Sequence, residues 1–153
     1  MKKVSTWLLV CWLAAACSQK PEPINYGHDG CHYCKMTIMD NRYGAEIVTE
    51  KFKVLKFDAV ECMLNYQKAA EANHDNSLLL VTDFQNPGKL IDATAAYYLR
   101  SASLPSPMGM YLTSFASHQA VMQTMDQHSG DKYSWQDLTK EFPNFPTLND
   151  GGQ

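Results

Sequence analysis

The stretch Phe52-Lys53-Val54-Leu55-Lys56-Phe57-Asp58-Ala59-Val60-Glu61-Cys62-Met63-Leu64 sets the fold class. Phe52, Val54 and Phe57 give a partial period-two alternation, the mark of a strand with one buried face. Asp58 then stands where a helix N-cap is needed, and Glu61 three residues on gives a capping-box pattern. Val60, Met63 and Leu64, with Cys62 beside them, fall on one helical face, so the spacing predicts a helix over Asp58 to Ala72. Upstream, Gly44 to Thr49 reads as another strand, and Thr37 to Met39 as a short one. Downstream, Leu78 to Val81 is an apolar run that reads as a buried strand. The turn residues Asp83 to Gly88 lead to a candidate strand at Leu90 to Ala93. The order then begins again. Met110 to Phe115 reads as a strand, and Leu112-Thr113-Ser114-Phe115 precedes a Ser117-capped helix as Val54-Leu55-Lys56-Phe57 precedes the first. That second helix runs to about Gln127 and is ended by Gly130. Ala95 to Arg100 is ambiguous, and Ser134 to Lys140 adds one helical turn. Strands and helices in this irregular order favour an α+β fold over a doubly wound sheet, with a suggestion of two related halves.

The chain has 153 residues, of which 45% are hydrophobic, 11% aromatic and 19% charged. That is the length of one domain, and it is too aromatic and too weakly charged for a disordered chain. With 13 basic and 16 acidic residues the formal net charge is −3. There is no clustered basic excess, so nucleic acid is not an expected partner. Eight Met and five Cys make the composition sulfur-rich.

Met1 to Cys17 has the parts of a secretory signal: Lys2 and Lys3, an apolar run from Trp7 to Ala16 too short to span a bilayer, and small residues before Cys17. Leu13-Ala14-Ala15-Ala16-Cys17 looks like a lipobox, with the Leu one position further from the Cys than usual. The expected organisation is a lipoprotein signal peptide over residues 1–16, a lipidated tether over 17–30, a folded domain over 31–140 and a loose tail over 141–153. The tether, read as flexible coil, averages roughly 20 Å end to end. Acylation of Cys17 would anchor the chain to a membrane of the cell envelope, facing the periplasm, with inner and outer membrane both open. Cleavage before Cys17 removes two lysines and no acid, taking the net charge from −3 to −5. It leaves Cys31, Cys34 and Cys62 as thiols, an odd set for a disulfide-stapled scaffold.

Cys31-His32-Tyr33-Cys34-Lys35-Met36 is the centre of the chemistry. Lys35 stands where haem attachment needs a histidine, which excludes that reading. A structural zinc site wants four ligands, and His28 or His32 with Cys62 could complete one. A redox pair is a second reading, with His and Lys nearby to lower a thiol pKa. It would make the protein a membrane-anchored thiol–disulfide oxidoreductase. The third is a soft-metal site, because thiolate and thioether donors favour Cu(I). Cys34 and Met36, two apart, face the same side of an extended backbone. Met108, bracketed by Pro107 and Gly109, could close such a site from a stiff loop. No set of general acids and bases points to an enzyme.

The chain resembles the NosL-type lipoproteins, accessory proteins of nitrous oxide reductase. The resemblance is carried by the lipobox, Cys34-Lys35-Met36 with Cys31, Phe57-Asp58 with Cys62-Met63, Leu90 to Ala93, and Ser106-Pro107-Met108-Gly109 followed by Phe115 and Ala120, over roughly residues 28–130. It implies an α+β fold of two similar ββαβ-type halves, like organomercurial lyase; the lyase activity does not follow from a shared fold. It further implies a Cu(I)-binding chaperone that supplies the reductase's copper–sulfide centre. The partners would be the reductase and its maturation machinery, an ABC transporter-type accessory complex. Cys34 and Met108 would be metal ligands with Met36 near the site, and Cys31 a further ligand or a spectator. His128 is the nitrogen ligand favoured by resemblance, His32 the one favoured by proximity to the cysteines.

Overall fold

A computed structural model of the chain describes residues 19–69 and 76–145. The first half runs β1 (Ala45–Val48), β2 (Val54–Phe57), α1 (Val60–Ala69), β3 (Leu78–Thr82) and β4 (Leu90–Asp92). The second runs β5 (Tyr97–Arg100), β6 (Leu112–Phe115), α2 (His118–Met125), β7 (Asp131–Tyr133) and α3 (Trp135–Glu141). Each half has its own antiparallel sheet, ordered β2-β1-β3-β4 and β6-β5-β7. In both, a hairpin is followed by a helix, and the next strand pairs with the free side of the hairpin's first strand. The ββαβ unit thus occurs twice, β4 and α3 being additions, and the α+β class read from the sequence is the one observed. Registers match as well: Phe57 lies opposite Ala45 and Phe115 opposite Tyr97, and both phenylalanines are fully buried.

Alternation assigns the two faces of the first sheet. Ala45, Ile47, Leu55, Phe57 and Val81 share a core with Val60, Met63 and Leu64 of α1. The other face carries Glu46, Val48, Lys56 and Leu80, and the chain before β1 covers it. Gln19 Nε2 donates to Val48 O, Glu22 N–H to Glu46 Oε1 at 3.0 Å, and Lys56 Nζ to Pro23 O at 2.8 Å. Residues 19–30, polar enough to read as coil, therefore form a strap along β1, held by Ile24 and Tyr26. Gly44 admits them: a Cβ there would lie 2.8 Å from both Ile24 Cδ1 and the Tyr26 hydroxyl.

In the second half Leu99, Leu104, Phe115, Ala120 and Val121 form a smaller core. Ser117 caps α2 as expected, its hydroxyl accepting the Ala120 N–H at 3.2 Å. α1 behaves differently. It starts at Val60, and Glu61 turns its carboxylate across to the second half rather than back to a cap. β7 was not legible in the sequence, because only Tyr133 of its three residues is buried. It reaches β5 through Gly130, where a Cβ would stand 2.3 Å from Arg100 O. In the predicted tail, Phe142 is buried and Phe145 packs 5.4 Å from the Tyr133 ring with the Arg100 guanidinium 5.0 Å from its own. Cys17 and residues 146–153 lie outside the described residues.

Candidate metal centre

Cys31 to Met36 folds into a tight knuckle. The Cys31 N–H donates to Met36 O at 2.8 Å and the Lys35 N–H to Cys31 O at 3.1 Å, while Gly30 bridges to Thr37. Lys35 makes the turn at φ 66°, a left-handed conformation that is unfavourable for a residue with a Cβ. The His32 N–H donates to Lys56 O at 2.7 Å and docks the knuckle beside β2. β2 runs on through Asp58 into α1, which carries Cys62 in its first turn, its N–H bonded to Ala59 O at 3.1 Å. Knuckle and helix start therefore converge. The sulfurs of Cys31, Cys34 and Cys62 all lie within 4.8 Å of one another. All three are free thiols; Cys31 and Cys62 are buried and Cys34 is half-buried.

The three thiols do not share charge equally. The Cys62 thiol donates to Cys31, and the backbone N–H groups of Asp58, Cys34 and Tyr33 add to it; against the cost of burial they pull the Cys31 pKa down to about 4. Cys62 is pushed up, first because its proton is held by Cys31 and then by burial. Cys34 is raised chiefly by burial. The hydrogen bonds within the cluster thus favour the thiolate on Cys31 and the protonated form on its two neighbours. A soft cation bound by all three sulfurs would displace those protons. Three thiols fit a low-coordinate soft ion better than zinc, since no His, Asp or Glu among the described residues joins the group as a fourth ligand.

Met36 is 54% exposed and, with Met39 and Asp58, lines a cleft of about 300 Å³ closed on the other side by Pro105, Ser106 and Pro107. Met108 is half-buried and packs, like Cys34, against the core cluster that includes Cys31 and Cys62. Its loop is anchored beside Cys62. Ser106 Oγ donates to Glu61 Oε1 and accepts the Tyr111 N–H at 2.8 Å. Glu61 is fully buried, and burial raises its pKa to about 7 against the opposing Ser106 hydrogen bond. The His32 ring stands edge-on to Tyr66 at 5.2 Å and Phe57 at 6.2 Å; burial, then Lys35 and Lys53, lower its pKa. His128 has Nδ1 2.9 Å from Ser103 Oγ and lines a different cleft, with Phe84 and Gln123. Cys62 is the residue that sequence reasoning left out of the preferred ligand set. The signal available was the odd number of thiols.

Two ββαβ units, with a three-thiol cluster where the knuckle meets the start of α1, define an α+β domain whose donors suit a soft metal ion. The chain belongs to the NosL family, whose profile matches residues 24–143. It is 35% identical over 120 residues to the copper-binding lipoprotein NosL of Stutzerimonas stutzeri, an alignment covering 73% of this chain and 63% of that protein. The chain thus spans less than two thirds of that relative's length. The fold matches the crystal structure of the copper chaperone NosL from Shewanella denitrificans with a TM-score of 0.69 and 22% identity, over 80% of this chain and 98% of that one. At that identity the likeness establishes the fold.

Proposed function

We propose that the protein is a membrane-anchored carrier of Cu(I) that supplies copper for assembly of the nitrous oxide reductase copper–sulfide centre. The observation that carries copper binding is the convergence of three sulfurs within 4.8 Å. The names of the family relatives, a copper-binding lipoprotein and a copper chaperone, point the same way. Cys31, Cys34 and Cys62 form the inner donor set. Met36 and Met108 are the thioether donors at its edge, neutral and therefore insensitive to pH. The chemistry is ligand exchange: the half-buried Cys34 and exposed Met36 are the donors a partner's ligands meet first, and the ion passes stepwise without bond-making on an organic substrate. A lipid on Cys17 raises the effective concentration of carrier near membrane-bound maturation partners, including an ABC transporter-type accessory complex.

The ionisation pattern argues against a thiol–disulfide oxidoreductase. Such an enzyme needs an accessible thiolate. Here the depressed pKa belongs to buried Cys31, while the more accessible Cys34 is raised. The deciding experiment is a Cu(I) titration of the reduced protein in competition with a colorimetric chelator, beside an insulin-reduction assay. The expected result is one tightly bound Cu(I), little Zn(II) and no disulfide turnover; robust turnover without Cu(I) binding overturns the proposal. The partner assignment is tested by deleting the gene in a denitrifying host and measuring the copper content of its nitrous oxide reductase.

A further inference from the structure

The β1–β2 hairpin ends in Thr49-Glu50-Lys51-Phe52-Lys53, and its tip is built to present one aromatic side chain. Thr49 N–H donates to Lys53 O at 2.9 Å, Phe52 N–H to Thr49 O at 2.9 Å, and Lys53 N–H to Thr49 Oγ1 at 3.1 Å. Those three bonds hold Phe52 at φ 60°, a conformation a bulky residue adopts only when its surroundings impose it. The outcome is a phenyl ring left 51% exposed between two exposed lysines.

The strap places that tip beside the anchor. Gln19, where the described chain begins, bonds through Nε2 to Asn76 O at 2.8 Å and shares a surface groove with Glu50, Phe52 and Asn76. Cys17 is two residues earlier, so it lies at most about 7 Å of extended chain from Gln19. A lipidated Cys17 thus brings the bilayer surface to the hairpin tip. A phenyl ring flanked by lysines is suited to that boundary: the ring enters the interfacial layer and the ammonium groups stay with anionic headgroups. Lys51 and Lys53 outnumber Glu50 at the tip, so this edge is locally basic in a chain that is acidic as a whole.

We infer that Phe52, with Lys51 and Lys53, seats the domain on an anionic phospholipid surface next to the acylated Cys17. This inference rests on the lipoprotein reading. It turns a flexible attachment into an oriented one. β2 starts at the tip and ends at Phe57, and α1 begins just past that end, so the sulfur cluster stands at the far end of the strand, directed away from the bilayer.

The test uses the mature lipidated protein in vesicles of phosphatidylethanolamine and phosphatidylglycerol, some carrying brominated acyl chains. In Phe52→Trp, emission from the tip is expected to shift to the blue and be lost to the bromolipid, whereas the parent's Trp135 emission is not. Adding Lys51→Glu and Lys53→Glu should abolish that quenching with acylation intact. In the unsubstituted protein, amide exchange across residues 50–52 should slow on vesicles relative to detergent micelles. A tip that stays unshifted, unquenched and fast-exchanging while the protein co-sediments with vesicles overturns the seat and leaves the anchor standing. Failure to incorporate an acyl chain or to co-sediment overturns both. A blue shift that grows with protein concentration at fixed lipid assigns the patch to a second copy, and likewise overturns the inference.

Discussion

Ser106 donates its hydroxyl proton to the buried carboxylate of Glu61, joining the second half of the molecule to the residue next to Cys62. The same oxygen accepts the Tyr111 N–H at 2.8 Å, where the chain again takes a left-handed turn at φ 63°. One side chain therefore sets the path of the loop that carries Met108 and fixes it to the helix turn that carries Cys62. The two ββαβ halves meet at the candidate metal centre through this contact.

Removing that link should be felt by the metal although no sulfur is lost. Ser106→Ala removes the hydroxyl donor from a buried carboxyl and should cost about 1–3 kcal/mol of stability in urea unfolding. Cu(I) affinity should fall at the same time, and Ser106→Thr, which keeps the hydroxyl, should restore much of it. Unchanged affinity in a folded Ser106→Ala protein would separate the Met108 loop from the site.

Cys62 should behave as a ligand equal to Cys34. Loss of an outer-shell partner typically lowers metal affinity about 10–100-fold, so loss of a direct sulfur should exceed about 100-fold. Cys62→Ser and Cys34→Ser are each expected to pass that mark in chelator competition. Met108→Ile and Met36→Ile should weaken binding less, with apo stability within about 1.5 kcal/mol of the parent.

Cu(I) affinity should rise steeply with pH. The Cys31 pKa is drawn down to about 4, whereas that of Cys34 is raised, chiefly by burial, and that of Cys62 is raised, chiefly by its hydrogen bond to Cys31. Binding to all three thiolates then releases two protons, so affinity should climb about 100-fold per pH unit across the neutral range. Potentiometric proton counting on metal addition checks the stoichiometry, and a slope near zero would exclude a three-thiolate site.

Glu46 should make the fold less stable as pH rises. It is fully buried under the strap, Oε1 accepts the Glu22 N–H, Oε2 has no hydrogen-bond partner among the described residues, and burial raises its pKa. The unfolded chain gives up this proton at the ordinary glutamate pKa. The protonated fold's advantage is therefore present below that value and is lost as pH climbs through the raised folded pKa. Glu46→Gln should flatten this dependence, with a larger gain in urea midpoint over the parent at pH 8 than at pH 5.

Gly44→Ala tests the strap. Its methyl would press on Ile24 Cδ1 and the Tyr26 hydroxyl at 2.8 Å, so the strap must shift or lift. The expected cost is about 1–3 kcal/mol, as for other overpacked cores, with faster amide exchange in the strap. Wild-type stability and exchange would show that the strap does not bear on the sheet.

Much of this architecture is local and could be read directly. Strand-to-helix transitions at Phe57 and Phe115 follow from apolar alternation meeting helical spacing, both of which depend on residues a few positions apart. The knuckle cysteines are also contiguous in sequence. What sequence could not supply was set by long-range contact. Glu61 looked like half of a capping box until Ser106, 45 positions away, took its carboxylate. Residues 19–30 looked like solvated coil because their apolar content is thin; the buried face of β1 makes them a strap. β7 exists only because Gly130 lets three mostly polar residues reach β5. Cys62 reads as one more residue of an amphipathic helix, and only the docking of the knuckle on β2 brings its sulfur to Cys31 and Cys34. A metal centre depends on distances between side chains, and distances between remote residues are decided by packing, not by spacing along the chain.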